Sequence, residues 1–321
     1  MMKFILFLVI SPFVLLSTTF AQSNFYKNEV GIQSDNDGFL AQRSDRYYTA
    51  GNFGYFRHAL KVADSSSLQN KVLGFELGQK IYTPQTGAIP AAIFVDRPFA
   101  GYLYIGTNLN LLYKNESNLK LQVRAGIIGP NAYAEQIQNL IHNTFGFYHP
   151  TGWEYQIQNA VQLNLAAEYN RLLTRGTSAD LLFNSYLNAG TGITGAGLGF
   201  TARLGRFNQL FNSISTTSTV TQNTNIKPLH NSELFFYYKP MLNLVAYDAT
   251  IQGGLFEKTH GDEEVTLTPN PVVFSQQVGG SFVKKHWVFD LSVIFETRED
   301  KEMVEKHSGH QWGSVSGMYR F

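Results

Sequence analysis

The sequence predicts an all-β fold, an antiparallel transmembrane β-barrel of about twelve strands with a short helix in an extracellular loop. Three observations predict it. Beyond residue 21 no run of about eighteen apolar residues occurs, which excludes a membrane-spanning helix. Long segments alternate apolar and polar residues, as strands do when one face meets lipid and the other meets water. Aromatic residues reach 14%, with 17 Tyr and 25 Phe, which favours a barrel with aromatic girdles.

The first segment, 1–21, has a basic residue, an apolar run and a small-residue cleavage site, which indicates a secretory signal peptide. One outer-membrane β-barrel domain is therefore predicted over 22–321. Without Lys3 the acidic and basic residues balance, because the full count is 25 basic against 24 acidic, so charge gives no reason to expect a nucleic-acid partner. The exported chain has no cysteine, so stability must come from hydrogen-bonded backbone and packing.

Alternation defines the strands. In 156–169, for example, Val161 and Leu163 lie on one face, while Gln162 and Asn164 lie on the other. A secreted β-sandwich shares the composition but not the need for long strands with one fully apolar face. The strands are expected near 24–35, 46–60, 72–83, 99–114, 118–129, 153–172, 179–189, 193–206, 232–247, 272–284, 286–298 and 310–321.

The last strand ends on Phe321, as the closing strands of bacterial outer-membrane barrels do; an edge strand of a sandwich is the alternative. An even strand count closes the barrel and leaves both termini on the periplasmic side. The connection 207–231 then falls on the periplasmic side, and its Ser/Thr/Asn-rich composition predicts a flexible loop. The outward connections are 36–45, 84–98, 130–152, 190–192, 248–271 and 299–309.

The outward segment 130–152 is the one stretch with helical periodicity. Pro130 suits a first helical turn and Gly146 suits a helix end. We expect this helix to fold over the mouths of the first strands and to present His142 there, with Glu135 or Asn139 orienting the imidazole. Its apolar face holds Ala134, Ile137, Ile141 and Phe145, and its polar face holds Glu135, Gln138, Asn139 and His142.

Several motifs occur in a fixed order over about residues 24–170: DNDGFLAQRSDRYYTAG, IYTP, VDRPFAGYLYIG, GPNAYAEQIQNLIHNTFG and GWEYQIQN. Together they resemble the outer-membrane lipid A 3′-O-deacylase (LpxR-like) family. The resemblance implies a twelve-stranded barrel that removes the 3′-linked acyloxyacyl chain from lipid A at the outer leaflet, with calcium and a histidine.

Carried over by position, the resemblance implies that His142, in a QN-x-x-H run, is the general base that activates water. It also implies catalytic roles for Asn36 and Thr49. Asp35, Asn36 and Asp37 offer the hard oxygen ligands that calcium prefers, and they are the expected metal ligands. A histidine suits a base at neutral pH, and calcium suits the stabilisation of an oxyanion.

Two positions depart from the family pattern. Ile89 stands where a functional lysine is expected, and Pro150 stands where a tyrosine is expected. Tyr148, Lys80 and Arg43 are the side chains in the same region that can replace them.

The function expected is a calcium-dependent acyl-ester hydrolase in the bacterial outer membrane, with its active site facing the outer leaflet, lipid A or lipopolysaccharide as substrate, and the outer-membrane lipids around it. One alternative is a phospholipase-type acyl hydrolase, for which His307 and Ser308 would supply the chemistry. Another is a catalytically silent barrel that serves adhesion or envelope structure.

Overall fold

The computed structural model describes residues 25–40, 45–63, 66–256, 263–303 and 309–321. The predicted signal peptide, 1–21, lies outside these residues. Within them, twelve antiparallel strands close into one barrel, each pairing with its neighbours along the chain and the first pairing with the last. None of the helices in the described ranges is long and apolar enough to cross a membrane. The predicted twelve-stranded barrel is confirmed.

The strands are β1 (Asn28–Asn36), β2 (Tyr47–Ala59), β3 (Leu68–Thr83), β4 (Ala100–Tyr113), β5 (Ser117–Ile128), β6 (Ala160–Arg175), β7 (Ala179–Gly190), β8 (Ile193–Arg206), β9 (Ser232–Asp248), β10 (Val272–Lys284), β11 (Trp287–Thr297) and β12 (Gly309–Arg320). The α-helices are α1 (Ala134–Phe145) and α2 (Ala249–Gln252). Short 3₁₀ helices span Asp37–Leu40, Ala92–Phe94, Pro130–Ala132, Trp153–Tyr155, Leu210–Asn212 and Ile214–Thr216.

The two faces of the wall differ as the alternation predicts. On the outer face, Ile32 is 72% exposed and Val161 is 81% exposed. On the inner face, Gln33 and Asp35 line a polar lumen cavity of about 580 Å³. A water-soluble sandwich would bury its apolar face, so this arrangement fits a wall whose outer surface meets lipid.

One strand boundary differs clearly from the prediction. Strand β6 begins at Ala160 and not at 153, because the chain first forms the 3₁₀ turn Trp153–Tyr155. The turn buries Trp153 beneath helix α1, and the backbone N–H of Ile157 then donates to the Phe99 carbonyl at 2.9 Å. Packing of one large aromatic side chain therefore overrides the local strand pattern.

The prediction of a flexible loop over 207–231 is wrong. This segment, called the plug here, folds into the end of the barrel that carries the termini. Ser213 and Val220 are fully buried, and Thr216 lines the lumen cavity. Inward-facing amides bind its backbone: the Asn110 Nδ2 donates to the Thr216 carbonyl at 2.6 Å, and the Asn70 Nδ2 donates to the Val220 carbonyl at 2.9 Å. Serine and threonine suit this place because the lumen wall is itself polar.

A buried charge cluster fixes the plug to the wall. The Arg203 guanidinium, fully buried, donates from Nε to Asp180 Oδ1 at 2.8 Å and from Nη2 to Asp180 Oδ2 at 2.6 Å. It also donates to the Ser213 hydroxyl of the plug at 3.0 Å. The Ser213 hydroxyl in turn donates to Glu233 Oε1 at 2.7 Å. Plug and barrel thus share one hydrogen-bonded network.

We expect Asp180→Ala to lower the free energy of unfolding by about 3–5 kcal/mol, since it leaves the Arg203 charge buried without its carboxylate. Urea denaturation of the barrel in detergent, followed by tryptophan fluorescence, measures the change. Ser215→Ala is the matched control, because this change at an exposed position removes only one hydrogen bond from Arg203. It should lower the free energy of unfolding by less than about 1 kcal/mol. Equal stability of Asp180→Ala and wild type would show that the plug is not held by this pair.

Candidate active site

Helix α1 packs against the outer face of the barrel wall, at the end opposite to the termini. Gly101 permits the close approach, since a Cβ added there would lie 2.6 Å from the Ala134 Cβ. Beside it the Gln79 Nε2 donates to the Ala132 carbonyl at 2.7 Å, and Ile81 packs in one apolar cluster with Ala134. Gln79 and Ile81 alternate with Lys80 and Tyr82, which line the lumen cavity. The helix is therefore on the outside, and the expectation that it folds over the strand mouths is wrong.

The C-terminal end of helix α1 brings a backbone acceptor to the His142 ring. Gly146 adopts a left-handed conformation, with φ at 70°, and its N–H donates to the His142 carbonyl. The chain then turns back, and the backbone N–H of Phe147 donates to the same carbonyl at 2.9 Å. This return brings the Tyr148 carbonyl beside the His142 ring.

His142 lies between two oxygen acceptors and is only 4% exposed. Its Nδ1 donates to the Tyr148 carbonyl at 2.6 Å, and its Nε2 lies 2.9 Å from Asp45 Oδ2. Because a carbonyl can only accept, Nδ1 carries a proton in either charge state. The Asp45 carboxylate therefore faces the second ring nitrogen, where its charge would balance that of an added proton.

Asp45 is the centre of this network. Its Oδ2 also accepts hydrogen bonds from Gln138 Nε2 and, at 3.0 Å, from the Tyr148 hydroxyl. Gln138 is held in turn by the Trp153 Nε1, which donates to its Oε1 at 2.8 Å. Burial, and then the charge of Asp45, raise the pKa of the Tyr148 hydroxyl above its ordinary value, so it stays a donor. The four side chains come from three separate segments.

The residues that orient the imidazole differ from those expected. Glu135 and Asn139 were the candidates, but the Tyr148 carbonyl and the Asp45 carboxylate contact the two ring nitrogens. Gln138, four positions before His142 on the same buried face of the helix, holds Asp45. Asp45 was missed because its role depends on a contact across almost a hundred positions of the chain. The sequence signal that pointed to Asp45 was its place in the SDRYYTAG motif, four positions before Thr49.

The three predicted metal ligands do not point the same way. Asp35 faces the lumen, where its Oδ2 accepts from the Tyr48 hydroxyl at 2.9 Å. Asn36 is in a local turn, and its Oδ1 accepts from the Gly38 N–H at 2.7 Å. Asp37 turns toward the next segment, and its Oδ2 accepts from the Arg46 N–H at 2.7 Å. Among the three, Asp37 is the one placed beside Asp45.

Asp37 and Asp45 form a carboxylate pair that suits a cation. Asp37 is 2% exposed. Burial, followed by the charge of Asp45, raises the pKa of Asp37 to about 8. A bound cation offsets both causes, and two carboxylates are the ligand type that calcium takes. Asp37 and Asp45 would supply about two of the six to eight oxygen ligands that calcium takes, and the others would have to come from backbone carbonyls, substrate or water.

Thr49 is buried on β2, and its hydroxyl lies 2.7 Å from the Thr83 hydroxyl. In the register of β1 and β2, Asn36 lies opposite Ala50, the residue after Thr49. Asn36 and Thr49 are thus neighbours at the end of the barrel where helix α1 packs.

The structure shows what surrounds Ile89 and which of the possible replacement side chains lie near His142. Ile89 is 2% exposed in the apolar cluster that also contains Phe99 and Trp153, so no charged group takes its place there. Lys80 lines the lumen, on the other side of the wall from His142. Of the three possible replacements, Tyr148 reaches the site, while Arg43 lies outside the described residues. So do His307 and Ser308, on which the phospholipase alternative depends.

Comparison with known proteins places the chain. The family model described as outer membrane protein LpxR matches residues 5–321. The solved structure of LpxR from Salmonella typhimurium is similar with a TM-score of 0.73 at 22% identity, and the match covers 91% of this chain and 100% of that chain. The β domain of the Bordetella autotransporter BrkA is less similar, with a TM-score of 0.46 at 11% identity over 92% of this chain and 98% of that one. A search of curated protein sequences gives no match. Because the family model spans nearly the whole sequence, the chain belongs to the LpxR family of outer-membrane proteins.

Proposed function

We propose that this protein is an outer-membrane acyl-ester hydrolase that removes the 3′-linked acyloxyacyl chain from lipid A, with calcium and with His142 as the general base. One observation carries the proposal: the buried pair of His142 and Asp45 lies on the outer face of the barrel wall and not in the lumen. A substrate that reaches it is one embedded in the membrane. Membership of the LpxR family supports lipid A as that substrate.

The direction of the site supports an outer-leaflet substrate. Helix α1 packs at the barrel end opposite to the termini, and both termini of an even-stranded outer-membrane barrel face the periplasm. The site then faces the outer leaflet, where lipopolysaccharide resides. The surrounding outer-membrane lipids contact the same face.

His142 is proposed to remove the proton from water. In the neutral ring the Tyr148 carbonyl holds the Nδ1 proton, so Nε2, which lies 2.9 Å from Asp45 Oδ2, is the nitrogen that takes the proton from water. The water oxygen then attacks the ester carbonyl carbon, and the proton on Nε2 passes to the departing alkoxide as the ester bond breaks. Asp45 stabilises the charged ring between these two transfers.

Asp37 and Asp45 are the residues proposed to hold calcium. The ion, when bound there, supplies positive charge for the carbonyl oxygen as it becomes anionic. The Asn36 amide and the Thr49 hydroxyl, at the same end of β1 and β2, are proposed to donate hydrogen bonds to the substrate. Tyr148 holds Asp45 in place through its hydroxyl.

Mass spectrometry of lipid A tests the function. We expect lipid A from cells that express the protein to lose the acyloxyacyl chain at the 3′ position, while lipid A from cells with the vector alone stays intact. Release of fatty acid from phospholipid with unchanged lipid A would instead favour the phospholipase alternative. No change in either lipid, with folded barrel in the membrane, would favour a catalytically silent barrel.

A further inference from the structure

A second cluster of titratable side chains lies on the lumen side of the wall. It consists of Glu296 near the end of β11, Glu299 in the connection that follows and His310 at the start of β12. Their ligand atoms all lie within 4.8 Å of one another. Glu296 and Glu299 line the lumen cavity of about 580 Å³, which gives a solute access to the cluster.

The His310 ring packs against aromatic side chains, but its nitrogens make no hydrogen bond among the described residues. The side chain is 6% exposed, and neither Nδ1 nor Nε2 has a hydrogen-bond partner among the described residues. The ring stacks on Trp312, with centroids 5.1 Å apart, and contacts the edge of Tyr47 at 5.7 Å. Buried polar groups are normally satisfied, so a fixed imidazole with unpaired nitrogens next to two carboxylates needs a partner.

The charges around the cluster also favour a cation. The Arg97 Nε lies 2.8 Å from Glu299 Oε2, which leaves the other carboxylate oxygen of Glu299 for a ligand. The charged groups that act on the cluster are Glu296, Glu299, Asp248, Asp300, Arg97 and Lys80. Carboxyl groups thus outnumber basic groups around the cluster, which favours a cation over an anion as its ligand.

We propose that Glu296, Glu299 and His310 bind a divalent first-row transition metal, with Zn²⁺ the best fit. An imidazole nitrogen and two carboxylate oxygens are ordinary zinc ligands, with water at the fourth position. The imidazole disfavours calcium, which takes oxygen ligands. Bonds of about 2.0–2.1 Å place tetrahedral ligands about 3.4 Å apart, so the glutamate side chains rotate inward when the metal binds.

The proposed site is separate from the pair of Asp37 and Asp45. Those carboxylates belong to the outer face beside helix α1, whereas Glu296 and Glu299 face the lumen. A metal here ties β11 to β12. Through Arg97, whose Nη2 donates to the Thr250 hydroxyl at 3.1 Å, it also reaches the connections that follow β3 and β9. The metal is therefore expected to stabilise the outward connections and to raise the thermal midpoint with its concentration.

Metal titration of tag-free, chelator-treated barrel in detergent tests the site. Calorimetry is expected to show one Zn²⁺ site. Glu296→Gln and His310→Ala should each lower its Zn²⁺ affinity by more than about 100-fold, since replacing even a residue that only hydrogen-bonds to a metal ligand lowers metal affinity by about 10–100-fold. Co²⁺ is expected to quench Trp312, because that ring stacks on His310. The quenching should be absent from His310→Ala and from Trp312→Phe.

Two variants act as controls. Asp290→Asn removes another lumen carboxylate, one bound by Tyr237 at 3.0 Å, and it should leave Zn²⁺ affinity unchanged. Asp45→Asn should leave Trp312 quenching unchanged as well. Wild-type Zn²⁺ affinity in both Glu296→Gln and His310→Ala, or loss of all Zn²⁺ binding in Asp45→Asn, would overturn the proposal. Heat-modifiable gel mobility confirms folding, and Glu296→Gln, which keeps the side-chain shape, decides the matter if His310→Ala does not fold.

Discussion

Replacing His142 with alanine is expected to lower the rate of lipid A deacylation by about 10²–10⁴-fold, the range that acid–base catalysis contributes. The His142 Nε2 is the proposed proton acceptor, and alanine offers no group in its place. Water cannot substitute efficiently, because the site is buried and the Tyr148 carbonyl is positioned for an imidazole and not for a solvent molecule. Rates are measured on purified lipid A in mixed micelles by mass spectrometry.

The variant should remain folded. His142 lies on an inserted helix and takes no part in strand pairing, and Asp45 keeps its hydrogen bonds from Gln138 and Tyr148 when the imidazole is removed. His149→Ala is the matched control, since His149 is exposed seven residues away on the same connection. Wild-type deacylation by folded His142→Ala protein would remove this histidine from the mechanism.

The barrel was predictable because its strands alternate apolar and polar residues with a regular period. Alternation with a period of two, sustained over many segments, has few solutions other than a wall with lipid on one side and water on the other. Strand boundaries followed less well where side-chain packing decided them. Residues 153–159 alternate like a strand, yet Trp153 is used beneath helix α1. The local sequence pattern does not show that Trp153 packs against the helix instead of continuing the strand.

The plug shows the limit of composition as evidence. A segment rich in serine, threonine and asparagine suits solvent, and it equally suits a polar lumen that offers amides and buried charges as partners. The partners that decide the matter, Asn70, Asn110 and Arg203, come from three other strands. Their convergence follows from barrel closure, which only the structure supplies.

The candidate site was predictable where a single segment carried it and not where segments meet. His142 and its helix were readable from periodicity. The run from Asp35 to Asp37 was expected to hold one ion, but strand alternation ends at Asn36. Asp35 follows the alternation and faces the lumen, while Asp37 begins a 3₁₀ turn and leaves the strand. Tyr148, on the same connection as His142, was among the named replacements, whereas Asp45 gains its role through contacts across the fold, which a linear pattern does not encode.

Chelation is expected to abolish deacylation, and added calcium is expected to restore it, because the proposed ion supplies the positive charge that the anionic carbonyl oxygen needs. Asp37→Asn should raise the calcium concentration for half-maximal rate by at least about tenfold, since calcium affinity depends on the number of charged ligands. Calorimetry with Ca²⁺ should show the same loss of affinity in the absence of substrate.

Asp35→Asn is a closely matched control, because it makes the same chemical change two positions earlier in the chain. Asp35 faces the lumen, where its Oδ1 accepts from Gln33 Nε2 and its Oδ2 accepts from Tyr48, each at 2.9 Å. Its replacement should therefore leave the calcium requirement unchanged. A larger shift with Asp35→Asn than with Asp37→Asn would move the ion to the lumen side of the wall, away from His142. Full activity in excess chelator would exclude calcium from the reaction altogether. The proposed pairing of Asp37 with Asp45 thus makes a prediction that strand alternation alone does not, since alternation treats Asp35 and Asp37 alike.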